Sequence, residues 1–281
     1  MSMMKTNLSE NYSSTIAILG CGWVGLPLAE YFIRNDYNIN GSTTSESKLP
    51  LLKSKGIKPF LINFNPTAGN LDLEFFNAEI LVLNIPPKLR HREGAFHLSQ
   101  IDEILKLLKL SPIKKIIFIS SSSIYANNNS EVRECEAEVR QQAENIVLFD
   151  AESKIRSLPN IQYLILRCAG LTGPERNLIK HFAGKKDIPN GLSPVNLIHQ
   201  DDVIGIIGQL IKNNIWNNTL NICAPIHPVK KDYYQDLARR YNMEMPEFSE
   251  ERANYKIINI EKLQALLNYS FLYPDPMLFT Y

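Results

Sequence analysis

Residues 16–29 read Ile16-Ala17-Ile18-Leu19-Gly20-Cys21-Gly22-Trp23-Val24-Gly25-Leu26-Pro27-Leu28-Ala29. An apolar run enters a glycine turn and leaves it as a helical pattern. Gly20, Gly22 and Gly25 have G-x-G-x-x-G spacing, and each meets a separate demand. Gly20 allows the tight turn, Gly22 lets the backbone approach a pyrophosphate, and Gly25 lets helix and strand pack closely. The helix start directs free N–H groups and a positive dipole end at the phosphates, and Pro27 suits a first helical turn. The bland alternative is a glycine-rich β-turn without a ligand; the strand before and the helix after weigh against it. Gly20, Cys21, Gly22, Trp23, Val24 and Gly25 are therefore read as a dinucleotide-binding turn, with NAD or NADP as its ligand.

Short apolar runs alternate with helical patterns on either side, which predicts an α/β fold: a doubly wound parallel sheet of Rossmann type. Strands are expected at 15–19, 37–41, 59–62, 80–85, 115–119 and 161–166. Helices are expected at 24–35, 45–54 and 96–110, the last with Leu98, Ile101, Ile104, Leu105 and Leu108 on one face. Beyond Arg167 the pattern loosens, with helices near 203–212 and 231–241 and a strand returning to the sheet at 220–223. The expected organisation is a flexible tail at 1–14 and a dinucleotide-binding domain at 15–170. A smaller, discontinuous substrate lobe follows at 171–281, with 196–224 packing back on the sheet. The charged stretch Glu131–Arg140 reads as a solvated loop or helix face.

The 281 residues carry a formal charge of +1, which leaves no footprint for nucleic acid or an anionic membrane. Four cysteines, Cys21, Cys135, Cys168 and Cys223, lie far apart, so reduced thiols in a cytoplasmic protein are the simplest account and no metal site is expected. No apolar run approaches the roughly 20 residues of a membrane-spanning helix. The expected partner is a small-molecule substrate, with a homodimer left open.

Dinucleotide folds often place an acidic residue about 20 positions after the turn, on the adenosine ribose. Here the second strand runs into Ser42-Thr43-Thr44-Ser45 with no carboxylate, and Lys48 is the nearby cation. This leaves NAD and NADP both open. Thr43, Thr44 and Ser45 are candidates to bond either one, or form a polar turn and helix cap. The fourth strand ends Asn84-Ile85-Pro86-Pro87. Ligands of open parallel sheets sit at such carboxyl ends, so Asn84, Ile85 and Pro86 join the cofactor candidates; a plain proline stop is the alternative.

The fifth strand continues Ser120-Ser121-Ser122-Ser123-Ile124-Tyr125. This resembles the serine motif of extended short-chain dehydrogenase/reductases. The resemblance implies that Ser121, four places before the tyrosine, bonds the reacting oxygen, and that Ser120 borders the cofactor. Leu166-Arg167-Cys168-Ala169-Gly170-Leu171-Thr172-Gly173-Pro174-Glu175-Arg176 and His199-Gln200-Asp201-Asp202 resemble later segments of that superfamily. The likeness spans nearly the whole chain and is closest to an atypical branch of small bacterial epimerase-like proteins, the YeeZ type. The glycine turn also resembles that of sugar-nucleotide dehydrogenases, whose longer chains need a cysteine nucleophile not found here.

One family element is missing. Active members carry Tyr-x-x-x-Lys on the helix after strand five, and no such pair lies between Tyr125 and Leu166. Its expected places are Gln142 and Ile146, while Asp150-Ala151-Glu152-Ser153-Lys154 mimics the spacing with aspartate for tyrosine. Positioned acid–base catalysis is worth about 10² to 10⁴-fold, so its loss implies a slow enzyme. Tyr125 is the candidate to stand in. The resemblance gives His199 and Asp202 a structural role over a proton relay. His91, His97, His181 and His227 lack ligand spacing. Arg176, His181 and Lys185 either meet an anionic substrate or form a solvated basic loop. Two functions follow: an NAD(P)-dependent oxidoreductase or epimerase acting on a small polar molecule such as a nucleotide sugar, or a nucleotide-binding sensor or scaffold without turnover.

Overall fold

Continuous apolar runs form strands buried on both faces when helices cover each side of a parallel sheet. The structure, a computed structural model, describes residues 15–63, 72–85 and 94–281. In chain order its strands are β1 (Thr15–Leu19), β2 (Asn38–Thr43), β3 (Lys58–Leu61), β4 (Ile80–Leu83), β5 (Lys115–Ser121), β6 (Ser130–Val132), β7 (Gln162–Cys168), β8 (Gly170–Thr172), β9 (Leu197–His199), β10 (Asn218–Ile222) and β11 (Lys256–Ile258). Its helices are α1 (Gly25–Ile33), α2 (Leu49–Ser54), α3 (Gly94–Leu108), α4 (Ile146–Arg156), α5 (Gln200–Lys212), α6 (Lys230–Arg240) and α7 (Glu261–Leu267).

Seven strands form one sheet in the order β10-β7-β5-β4-β1-β2-β3, every neighbouring pair parallel. The order reverses between β1 and β4, which makes that crevice the topological switch point. All carboxyl ends therefore lie along one edge. Alternate side chains feed two cores, as a period of two requires. Ile16, Ile18, Ile80, Val82, Leu164 and Leu166 join Leu28, Phe32, Val203 and Ile207 of α1 and α5. Ala17, Leu19, Leu81, Leu83, Ile116 and Phe118 join Ile101, Ile104 and Ile155 of α3 and α4.

The expected strands lie within two residues of the observed ones, and 218–222 returns as the sheet's edge strand. The helix expected at 45–54 begins as a 3₁₀ turn at Glu46–Lys48. Three-residue ladders, β8 with β9 and β11 with β6, join distant parts of the chain. The second ladder adds a short strand to the expected solvated stretch at 131–140, whose charged residues stay exposed or half-buried. Val132 and Ala137 are buried, and Glu134 Oε1 accepts the Asn221 amide at 2.8 Å. The tail at 1–14 lies outside the described residues, as do Pro86, Pro87 and His91. No helix among the described residues is long and apolar enough to cross a membrane.

A third core, separate from the sheet, gathers Ile179, Leu197, Tyr233, Tyr234, Leu237 and Phe279 around α6. Asp202 at the start of α5 ties the C-terminal segment down. Its carboxylate accepts the Leu272 amide at 2.7 Å, the Tyr273 amide at 3.0 Å and the Tyr269 hydroxyl at 3.1 Å.

Candidate functional site

β1 ends at Leu19, and the chain turns at Gly20 with φ at +104°, a conformation open to glycine and strained for other residues. A Cβ on Gly20 would stand 2.6 Å from the Asn84 carbonyl oxygen, and one on Gly25 only 2.1 Å from that of Gly20. A Cβ on Gly22 meets nothing within 4 Å. The first and third glycines are thus demanded by the fold, whereas the second faces open space at the switch point. The Gly22 backbone N–H finds no acceptor among the described residues.

The turn is braced from both neighbouring strands. The Ser42 hydroxyl accepts the Gly20 amide at 2.9 Å, and the Ser42 carbonyl accepts the Cys21 amide at 2.8 Å. From β4, the Asn84 carboxamide donates to the Gly20 carbonyl at 2.9 Å. Asn84 therefore shapes the turn, and Ile85 packs 3.8 Å from the space beside Gly20. Cys21 and Val24 point into the core, and burial pushes the Cys21 thiol up to about 12. They can serve a ligand through backbone alone. Ser42 was not among the sequence candidates; a serine in the last turns of a strand carries no local signal for this.

Trp23 is held from the far end of the chain. Its indole N–H donates to the Pro174 carbonyl at 2.7 Å, and its carbonyl accepts the Gln200 carboxamide at 2.6 Å. The Arg176 guanidinium lies 5.0 Å from the ring centroid. His181 and Lys185 sit on an exposed stretch further along. At the β2 tip, Thr43 is buried and its hydroxyl accepts the Ser45 amide at 3.1 Å. Ser45 occupies the cap position of the 3₁₀ turn, yet its hydroxyl pairs with that of Ser47 at 2.9 Å. Thr44 and Lys48 are exposed.

At the end of β5, Ser121 is half-buried and its hydroxyl accepts the Ser123 amide at 3.1 Å. Ser120 is turned the other way, and its hydroxyl donates to the fully buried Glu152 at 2.6 Å. Arg167 grips the same carboxylate through Nε at 3.2 Å and Nη2 at 2.8 Å. Arg167 Nη1 donates to the Tyr125 hydroxyl at 2.8 Å, which donates in turn to Asn221 Oδ1 at 2.6 Å. Burial holds that phenol protonated, well above the ordinary tyrosine value. Tyr125 as a whole is 1% exposed, and its hydroxyl both accepts from Arg167 and donates to Asn221 inside this polar network.

The neighbouring helix offers no replacement. Gln142 is exposed and its side chain accepts the Val139 amide at 3.4 Å. Ile146 opens α4. Asp150 pairs with Arg140 at 2.9 Å, and Lys154 with Asp102 at 2.6 Å, so the mimic of the missing pair is spent in ion pairs. A cavity of about 250 Å³ lies beside Tyr125, Val132, Glu136 and Gln142. A larger one of about 310 Å³, near Asn40 and Lys58, opens at the amino ends of β1 to β3, away from this edge. His199 stacks on Tyr273 with centroids 3.8 Å apart, its Nδ1 accepts the Asp201 amide at 3.3 Å, and burial lowers its pKa. With Asp202 bound to backbone, this segment is structural, as the resemblance implies. No group of three or more metal-ligating side chains occurs among the described residues.

Protein YeeZ of Escherichia coli strain K12 is 33% identical to this chain over 267 residues, covering 93% of the chain and 97% of that protein. The chain belongs to the YeeZ family. No protein-family model matches it. Among solved structures, the YeeZ-family chain is similar to a UDP-glucuronic acid 4-epimerase from Bacillus cereus in complex with NAD. The TM-score is 0.75 at 18% identity, with 94% of each chain covered. A UDP-glucose 4-epimerase from Thermotoga maritima, with UDP-glucose, gives a TM-score of 0.65 at 15% identity, covering 89% of this chain and 91% of that one. At such identities the likeness is one of fold. It agrees with the extended short-chain dehydrogenase/reductase resemblance carried by the serine run and the segments at 166–176 and 199–202.

Proposed function

We propose that this YeeZ-family protein binds NAD or NADP at the β1–β4 switch point and performs an oxidoreductase or epimerase-like step on a small polar substrate. The observation that carries the reading is the contrast among the three glycines: two are packed against backbone, and Gly22 alone faces open space. A pyrophosphate fits there, against the Gly22 amide and the start of α1. The bound cofactor would supply a nicotinamide that takes or gives hydride. The chain would hold the adenosine side through Thr43, Thr44 and Ser45, and the absence of a carboxylate there leaves both cofactors acceptable. Ser121 would hold the reacting oxygen by a hydrogen bond. A nucleotide-sugar substrate is supported by the solved neighbours, which are UDP-sugar epimerases. Residues 171–281 would form most of the substrate lobe. Buried, unpaired Cys21, Cys168 and Cys223 fit a cytoplasmic setting.

A second reading, a nucleotide sensor or scaffold, is favoured by one specific observation: Tyr125 is locked and no Tyr-x-x-x-Lys pair replaces it. Titration with NADH and NADPH through Trp23 fluorescence tests binding, which both readings expect. A panel of UDP-sugars incubated with NAD(P)⁺ or NAD(P)H then separates them. Cofactor reduction or oxidation, or appearance of an epimer, that is lost in Ser121→Ala supports the enzyme. Tight binding with no turnover on any substrate supports the sensor.

A further inference from the structure

Arg176 has no task in the fold that its surroundings reveal. The turn Gly173-Pro174-Glu175-Arg176 closes with the Arg176 amide on the Gly173 carbonyl at 3.0 Å. Glu175 in this turn holds φ at +64°, where glycine or asparagine is usual. A non-glycine residue in that region is a local cost that surrounding contacts must hold in place. Two contacts do so here: the Pro174 carbonyl takes the Trp23 indole N–H, and the Thr172 hydroxyl donates to the Arg176 carbonyl at 3.2 Å. The turn is thereby pinned to the residue that follows Gly22. Its guanidinium lies against the Trp23 ring, and no hydrogen bond or ion pair engages it among the described residues.

We propose that Arg176 is an anion-binding side chain that reaches from the C-terminal part of the chain to the glycine turn and binds a diphosphate there. The inference rests on the nucleotide reading above and adds to it a cation that the turn itself lacks, since residues 20–33 contain no lysine or arginine. An indole face orients a guanidinium without consuming its N–H donors. The five donors of that planar fork match two phosphate oxygens at once. The diphosphate is either the cofactor's own or that of a nucleotide substrate, and the test distinguishes the two.

The test compares wild type, Arg176→Gln and Arg176→Lys by calorimetry, using NADH, adenosine diphosphate and adenosine, then uridine diphosphate on NAD-saturated protein. Arg176→Gln is expected to weaken NADH and adenosine diphosphate by about 10- to 100-fold, with adenosine unchanged and Arg176→Lys intermediate. A loss confined to uridine diphosphate assigns the guanidinium to the substrate's diphosphate instead. Equal affinity of wild type and Arg176→Gln for every diphosphate overturns the proposal while leaving the nucleotide site standing. Failure of wild type to bind NADH or NADPH overturns the nucleotide reading on which it rests. Thermal unfolding close to that of wild type in both variants accompanies the expected result, because the guanidinium enters no hydrogen bond or ion pair among the described residues and rests only against the Trp23 ring.

Discussion

Arg167 and Glu152 form an ion pair buried beneath the carboxyl ends of β5 and β7, with Nη2 and Oε2 2.8 Å apart and the side chains 1% and 0% exposed. The pair joins α4 to the sheet. It also carries the hydroxyls of Ser120 and Tyr125 and the carbonyls of Glu134 and Ala137. Removing one member leaves a buried charge without its partner, which is the costly way to break such a pair. Glu152→Ala is expected to lose about 3–5 kcal/mol of stability, read from urea unfolding. Loss below about 1 kcal/mol would mean that solvent reaches Arg167.

Tyr125→Phe separates a structural role from a catalytic one. It removes a hydroxyl that satisfies both Arg167 and Asn221, so a destabilisation of about 1–3 kcal/mol is expected. Because the buried phenol stays protonated far above neutrality, the variant should keep NADH affinity and any pH–rate profile should keep its shape between pH 6 and 9, about the range in which enzymes are usually assayed. An acid or base limb that vanishes in Tyr125→Phe would place this residue in the reaction.

The glycines of the turn should respond in opposite ways to alanine. A Cβ at Gly25 collides with the Gly20 carbonyl, and Gly25→Ala is expected to cost about 1–3 kcal/mol. A Cβ at Gly22 meets no neighbour, so Gly22→Ala should change stability by less than about 0.5 kcal/mol and lower nucleotide affinity. Thermal unfolding and calorimetry of the two proteins distinguish these outcomes.

The parallel sheet was readable because its strands are uninterrupted apolar runs, and such runs are needed wherever both faces are covered. The glycine turn was readable because its steric demands are local. Partners far along the chain were not. Tyr125 looks free beside a serine run until Asn221, 96 residues away, closes on it. Trp23 meets partners 151 and 177 residues on. Glu131–Arg140 carries the composition of a solvated loop, yet its Val132 pairs with a strand more than a hundred residues distant. No periodicity marks a three-residue ladder.

Acid should weaken the fold through its buried imidazoles. Burial lowers the His97 pKa from 6.5 to about 4, and His199 and His227 shift the same way. The unfolded chain then binds protons that the folded one does not. Stability is full above about pH 6.5 and falls as the pH drops toward 4, by up to about 3 kcal/mol for His97. His97→Leu should flatten this limb in unfolding measured across that range. An unchanged acid slope would show that His97 protonates freely in the folded protein.

The measurement closest to the central claim is a calorimetric titration of wild type and Gly22→Asp with NADH and NADPH. The side chain of Gly22→Asp enters the open space and sets a carboxylate against the pyrophosphate, while the fold has room for it. Wild type should bind at least one of the two cofactors, and the folded variant should bind neither. Equal affinity in wild type and Gly22→Asp would contradict the account.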